Sequence, residues 1–176
     1  MHETADDLAR LQVLLDRSYE LAGRHLRSVI TPERRLSAAD LVDRLHGMCL
    51  LVLATVTRDG RPMAGPVDGI FYRGAWHFGS APDSRRIAHI RHDPEVSASH
   101  VPSEELSVTV HGRATLIDVS SAEQAGFRRT LLDIYVPRYG PDWEAFLDNG
   151  PVYARIDAER MFTFFMPAAD ALASPD

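Results

Sequence analysis

Ser80, Ser84, Arg85 and Arg86 are the residues whose types and spacing suit one piece of chemistry, the grip on a phosphate. They fall in Phe78-Gly-Ser-Ala-Pro-Asp-Ser-Arg-Arg-Ile-Ala-His-Ile-Arg-His-Asp-Pro-Glu-Val-Ser-Ala-Ser99, which reads as a strand end, a polar turn, a short helix and a new strand. Pro82 and Asp83 break the strand, and Asp83 or Ser84 caps the helix. Ile87, Ala88 and Ile90 form its inward face, and Asp93-Pro94 stops it. A helix N-terminus offers unpaired N–H groups and a partial positive charge. Arginine adds a planar fork that matches phosphate oxygens. The same residues also make an ordinary capped surface helix with two solvated arginines, so the choice rests on the surroundings.

Other chemistries find little support. The chain has no Gly-x-Ser-x-Gly elbow, Gly-x-Gly-x-x-Gly turn, Walker loop or His-Glu-x-x-His. His89 and His92 lie three apart on the short helix, but no Cys or carboxylate cluster completes a metal site, so no metal is expected and both read as solvated. His77, His100 and His111 fall in strands without an accompanying acid or nucleophile and read as structural. Cys49 lies in an apolar run away from any helix start and reads as a small core residue. No catalytic residue can be named.

Those residues must be carried by elements that the rest of the 176-residue chain supplies. At 45% hydrophobic it has enough apolar material for one domain with its own core. A formal net charge of -6 argues against a nucleic-acid or anionic-membrane surface, so any anion site is local. All 19 basic residues are Arg, which excludes Schiff-base chemistry on a lysine. One cysteine forbids an intrachain disulfide and fits a reducing compartment. The first residues are acidic where a secretory signal is basic, and no apolar run reaches spanning length; the expectation is a soluble cytoplasmic protein.

Thr4 and Asp7 resemble a capping box ahead of Leu8, Leu11, Leu15, Ala22 and Leu26 on one face, which predicts a first helix running to just before Thr31-Pro32. Ser37 to Asp40 repeats the cap, with Gly47 as the stop. Residues 1–47 therefore form an N-terminal helical arm, a lid or a packing element, ahead of a barrel domain over 48–176. Met48 to Val56 reads as a buried strand, turned by Arg58-Asp-Gly-Arg61 into a second strand to Tyr72. That second strand carries Pro62, Gly65, Pro66 and Gly69. Proline cannot donate to a ladder and glycine admits a flat ligand close to the backbone, so the strand belongs at an edge or a barrel opening. Ala75 to Gly79, Glu95 to Val101 and the alternating Leu106 to Ile117 follow as strands; Ser107, Thr109, His111, Arg113 and Thr115 form a polar face suited to a cleft or a subunit contact. Helices with Phe127, Leu131 and Ile134 inward, then from Pro141 through Leu147, precede strand material at Val152–Ile156 and Met161–Met166. The class is mainly β with peripheral helices (α+β), an antiparallel barrel. A phosphate cradle beside a Gly/Pro-rich strand suits a phosphorylated planar cofactor.

From Leu50 to Asp118 the chain resembles the flavin-binding split-barrel superfamily of the pyridoxamine 5′-phosphate oxidases and the deazaflavin-dependent reductases. Leu53-Ala-Thr-x-x-x-Asp-Gly-Arg-Pro62 followed by Pro66-Val67 matches its strand-turn-strand opening. Ser84-Arg-Arg to Asp-Pro-Glu-Val-Ser97 matches its Ser-Arg-Lys to Asn-Pro-x-Val-Ser stretch, and Val110-His-Gly-Arg-Ala114 its Gly-Lys/Arg-Ala strand. The resemblance implies an FMN-binding split barrel and a homodimer with two cofactors at the interface. It implies a phosphate held by Ser80, Ser84, Arg85 and Arg86, and a ring along Met63, Ala64, Gly65, Pro66 and Val67, with Gly79 also at the cofactor. Its activity would be that of a flavin-dependent oxidoreductase on a small molecule. The chain departs from the oxidase proper at Met63 to Asp68, at Leu106-Ser107 and after Arg160, where cofactor bases and the substrate signature are missing, so vitamin B6 oxidation is not implied. Within the superfamily, deazaflavin F420 is the alternative cofactor, with Arg58, Arg61 and Arg91 to meet its anionic tail. A non-enzymatic flavin or haem binder is the other, with His100 or His111 as axial ligand.

Overall fold

A computed structural model describes residues 2–167; residues 168–176, the end of the expected barrel range, lie outside the described residues. Six strands close an antiparallel barrel in the order β1-β2-β3-β6-β5-β4. They are β1 (Met48–Val56), β2 (Pro62–Tyr72), β3 (Ala75–Ser80), β4 (Glu95–His100), β5 (Leu106–Ile117) and β6 (Val152–Phe165). The helices are α1 (Ala5–Glu20), α2 (Arg24–Val29), α3 (Ala38–Val42), α4 (Arg85–His92), α5 (Ala125–Tyr139) and α6 (Trp143–Asn149). The expected mainly-β barrel with marginal helices is the architecture found. Among the described residues no helix is long and apolar enough to cross a membrane.

Alternation builds the barrel wall. Leu51 and Leu53 of β1, Val108 and Val110 of β5 and Ile156 and Met161 of β6 point inward and are buried together. The Asp59-Gly60 turn works because Gly60 adopts φ +80°, a left-handed conformation that costs glycine little. Gly112 of β5 sits beside a bulge in β6, where Glu159 has no partner across the ladder. A Cβ on Gly112 would lie 2.2 Å from the Asp157 carbonyl oxygen, so only glycine allows the two strands to close there.

The ladder is incomplete at one seam. β2 pairs with β1 along its first nine residues, Pro62 to Ile70, but with β3 only from Gly69 to Tyr72. Residues 62–68 therefore have one strand neighbour, as the prolines require, and the barrel is split beside them.

The arm packs on the opposite side. β6 meets β3 only over Val152 to Arg155, so its later half would expose unpaired backbone. α1 covers it. Ser18 Oγ accepts from the Met161 N–H at 2.9 Å, and Tyr19 Oη accepts from the Thr163 N–H at 2.8 Å while donating to the Thr163 carbonyl at 2.7 Å. Leu11, Leu15 and Tyr19 join the barrel core. At the start of α1 the Thr4–Asp7 capping box forms as expected. Burial pushes the Asp7 carboxyl up, but the Thr4 N–H and hydroxyl and the Arg73 guanidinium outweigh it and hold the pKa at about 2. The arm is thereby tied to the β2–β3 turn.

Several local expectations are corrected. The first helix breaks at Leu21–Gly23 rather than running to Thr31, because Gly23 takes an extended conformation as the cap of α2. Val152–Ile156 and Met161–Met166 are not separate: they are one bulged strand, β6. Ala88 faces solvent, leaving Ile87 and Ile90 as the buried side of α4. Leu116 is exposed, and Ile134 is only half-buried because α5 turns Thr130, Leu131 and Tyr135 inward.

Removing the Tyr19 hydroxyl leaves both Thr163 backbone groups buried without a partner. Tyr19→Phe should lower stability by about 1–3 kcal/mol, read as a lower urea midpoint at an unchanged slope; an unchanged midpoint would mean that the arm does not seal the edge.

Candidate functional site

At the split, β3 ends at Ser80 and the chain turns into α4. Ser84 caps that helix, its Oγ accepting from the Ile87 N–H at 3.3 Å. Ser80 Oγ and Ser84 Oγ lie 3.0 Å apart. Arg86 reaches back from the first turn, Nη1 donating to Ser80 Oγ at 3.4 Å and Nη2 to the Pro66 carbonyl at 3.2 Å. The guanidinium thus spans the seam between β2 and the end of β3. A Cβ on Gly65 would stand 3.4 Å from Arg86 Nη2, so glycine there leaves the fork its path. Burial pulls the Arg86 pKa down, with no carboxylate beside it to restore it. An arginine so placed still carries its charge and has donors to spare.

α4 is fixed from behind. Ile87 and Ile90 enter the core, and His89 Nδ1 lies 3.0 Å from the hydroxyl of buried Thr55 on β1. His89 is therefore a structural tie rather than the solvated residue expected. His77 and His100 are buried, with Nδ1 at 3.1 Å from the Ala75 carbonyl and 2.9 Å from the Leu50 carbonyl; burial holds His77 neutral at a pKa of about 4. His111 is exposed, 2.8 Å from Ser97 Oγ, in a groove with Leu26, Val29 and Phe164. Cys49 is buried and its thiol is pushed up to about 11 by desolvation. Among the described residues no three His, Cys, Asp or Glu side chains gather to hold a metal.

The Arg86 fork stands at the edge of a cavity of about 600 Å³. Pro66, Val67, Gly79, Ser80 and Arg86, all expected site residues, line it. Ser84 adjoins it through Ser80. Met63 and Ala64 lie on the exposed outer face of β2 and do not line it, and Arg85 points to solvent. Arg58 and Arg61 sit in the β1–β2 turn, with Arg61 paired to Asp59, and Arg91 turns to the Pro82 carbonyl. None of the three lines the cavity.

The far wall was not anticipated. Tyr135 and Tyr139 of α5, Trp143 and Phe146 of α6, and Tyr153 of β6 line the cavity together with Asp68. Tyr135 Oη donates to Asp68 Oδ2 at 3.1 Å, and its ring stacks on Trp143 at 4.6 Å and 19°. Tyr153 lies over Gly79, where a Cβ would come within 3.0 Å of its ring. Burial first, and the nearby Asp68 carboxylate second, push both the Tyr135 and Tyr153 phenols well above the ordinary tyrosine range. Tyr135, Tyr139 and Trp143 recur at four-residue spacing, a signal present in the sequence but interrupted by Pro137 and Pro141.

The sequence model of the pyridoxamine 5′-phosphate oxidase family matches residues 39–161, from α3 into β6. The chain belongs to the pyridoxamine 5′-phosphate oxidase family. The match extends well beyond Leu50 to Asp118, and takes in the aromatic wall. No curated protein sequence matches the chain. Among solved structures, the fold is similar to a conserved hypothetical protein of Mycobacterium tuberculosis at 21% identity, with 82% of this chain and 92% of that one covered and a TM-score of 0.63. An FAD-binding protein of Mesorhizobium loti matches at 22% identity, 76% and 98% coverage and a TM-score of 0.54. A haem storage protein of Vibrio cholerae matches at 17% identity, 66% and 84% coverage and a TM-score of 0.54. These likenesses show the split-barrel fold of the family.

Raised phenol pKa values have a direct readout. Tyr135 and Tyr153 should stay neutral when ordinary tyrosines ionise at about pH 10. In a titration followed at the phenolate absorption band, Tyr135→Phe should leave the amplitude up to about pH 11 unchanged; a loss of one residue's amplitude would place Tyr135 in open solvent.

Proposed function

We propose that this family member binds FMN and acts as an oxidoreductase on a small molecule at the interface of a homodimer. The observation that carries the reading is the Arg86 fork, charged, half-buried and without a carboxylate partner among the described residues, beside the Ser80 and Ser84 hydroxyls at the start of α4. A dianionic phosphate meets there two hydroxyl donors, free guanidinium donors and a helix N-terminus, so the residues present fit the group. When bound, the flavin supplies two-electron transfer; the protein supplies position and electrostatics. Arg86 and the serines anchor the phosphate end, and the backbone of Met63 to Val67 offers the flat surface for the ring.

One arginine in the cavity matches one phosphate. A polyanionic deazaflavin tail would need further cations, and Arg58, Arg61 and Arg91 are turned elsewhere. The missing cofactor bases at Met63 to Asp68 set the chain apart from the oxidase reaction that gives the family its name.

The outer face of β1 and β2 supports the dimer reading. Across β1 and β2, Val52 faces Pro66 and Ala54 faces Ala64 on the outer side of the barrel. Leu50 and Val52 beside them are 57% and 54% exposed. A monomer would leave this apolar stripe and one face of the ring in water, and a second copy covers both.

Arg86→Ala should weaken FMN about ten- to a hundredfold, the worth of a charge-assisted contact, and riboflavin, which lacks the phosphate, hardly at all. Equal loss for both ligands would make Arg86 a support of the fold; no loss for either would move the phosphate elsewhere. The absorption spectrum of the purified protein should show two flavin bands rather than one deazaflavin band or a Soret band.

Light scattering should show a dimer at micromolar concentration, and Leu50→Glu with Val52→Glu should give a monomer that binds FMN more weakly. A wild-type monomer would overturn the shared site.

A further inference from the structure

Two groups of opposite charge line the cavity. Arg86, with Ser80 and Ser84 beside it, suits an anion. Asp68 is the one carboxylate among the described lining residues and meets the aromatic wall through Tyr135. Asp68 Oδ2 is engaged by Tyr135 Oη at 3.1 Å, and no cationic side chain among the described residues forms an ion pair with Asp68. The neutral phenols of Tyr135 and Tyr153 add polarity without charge. Tyr135 stacks on Trp143 at 4.6 Å and on Tyr139 at 6.0 Å, both at 19°, while Phe146 is tilted by 52° to Trp143. Tyr139 and Phe146 are 56% and 55% exposed, two aromatic side chains that keep much of their surface accessible although Arg138 lies 5.4 Å from the Tyr139 ring centroid and Trp143 lies 6.1 Å from Phe146.

We propose that this compartment is the substrate site, and that it selects a planar, nitrogen-bearing aromatic that is neutral or cationic and carries no phosphate. The assignment rests on the flavin reading in one respect: Arg86 is committed to the cofactor phosphate. Among the described residues no other cation lines the cavity, so a second anion there has the Asp68 carboxylate against it and no further positive charge for it. A ring carrying an N–H or a positive charge finds the opposite. Its flat face stacks on the accessible aromatic surface, its charge is attracted by the ring quadrupoles, and its N–H donates to the free oxygen of Asp68. Pro66 and Val67 lie next to Asp68 along β2, so a substrate held by Asp68 sits beside the backbone surface offered to the flavin ring.

The test is isothermal titration calorimetry on FMN-loaded protein with two flat bicyclic probes: 4-aminoquinaldine, a cation with N–H donors at neutral pH, and quinaldate, a planar anion. The cation should bind at least about tenfold more tightly than the anion. Asp68→Asn, which keeps the shape and can still accept from Tyr135, should erase that preference. Trp143→Leu should weaken both probes alike, because stacking on the wall does not depend on charge. Equal affinity for the probes, a preference for quinaldate, or a preference that survives Asp68→Asn overturns the proposal. The two readings fail separately. A protein that loads FMN yet favours quinaldate overturns the substrate assignment alone. One that takes up no FMN but binds the cation through Asp68 overturns the flavin reading and leaves the compartment's selectivity standing.

Discussion

A proline has no N–H to give, and Pro66 stands where β2 parts from β3. That missing donor is the constraint on which the site depends. Were the β2–β3 ladder complete, hydrogen-bonded backbone would fill the seam from Pro62 onward. With residues 62–68 paired on one side only, the carbonyl of Pro66 faces the gap with no strand donor opposite it. Arg86 supplies a donor at 3.2 Å. One guanidinium therefore satisfies the open backbone and presents its remaining donors to the cavity, so the feature that repairs the barrel also makes it able to hold an anion. The position of α4, fixed by Ile87, Ile90 and the Thr55–His89 contact, decides whether the fork reaches.

The barrel has a second incomplete edge, treated in the opposite way. Beyond Arg155, β6 lacks a neighbour on the β3 side, and there α1 lays Ser18 and Tyr19 against the free N–H groups of Met161 and Thr163. The side-chain hydroxyl of Thr163 continues the seal by accepting from the Leu36 N–H at 3.0 Å. Sealing that edge with helix and hydroxyls removes a template for strand addition. The described residues thus include an open seam at the cavity and a covered edge at the arm. That asymmetry makes the arm a packing element rather than a lid: none of its residues lines the cavity of the split.

What the sequence revealed followed from local rules. A continuous apolar run marks β1, although with Leu50 and Val52 facing outward it is not the buried strand expected. Period-two alternation marks β5, and the caps at Thr4, Ser37 and Ser84 form where their residue types place them. Pro62 and Pro66, which cannot donate to a ladder, mark the open strand in the sequence, and Ser80, Ser84 and Arg86 meet because they lie within seven residues. What stayed hidden depends on partners distant in the chain. Nothing near His89 points to Thr55, 34 residues earlier. Tyr135 reaches Asp68 across 67 residues, and the helices that carry the aromatic wall are interrupted by prolines, which obscures their common face. The bulge at Glu159 broke the alternation of β6 and made one strand read as two.

A chain of net charge -6 holding an anion poses a question of range. At physiological ionic strength charges beyond about 8 Å are largely screened, so the acidic surface acts weakly on a phosphate already in the split. The groups within a few ångströms decide. Arg86 has given up part of its hydration, and no carboxylate draws on its charge, so its donors keep more of their strength for an incoming anion than those of a salt-bridged surface arginine. Arg61 shows the contrast: exposed and paired to Asp59 at 2.7 Å, it is neutralised where it stands. The difference between these two arginines, rather than the total of 19, separates a site from a solvated surface.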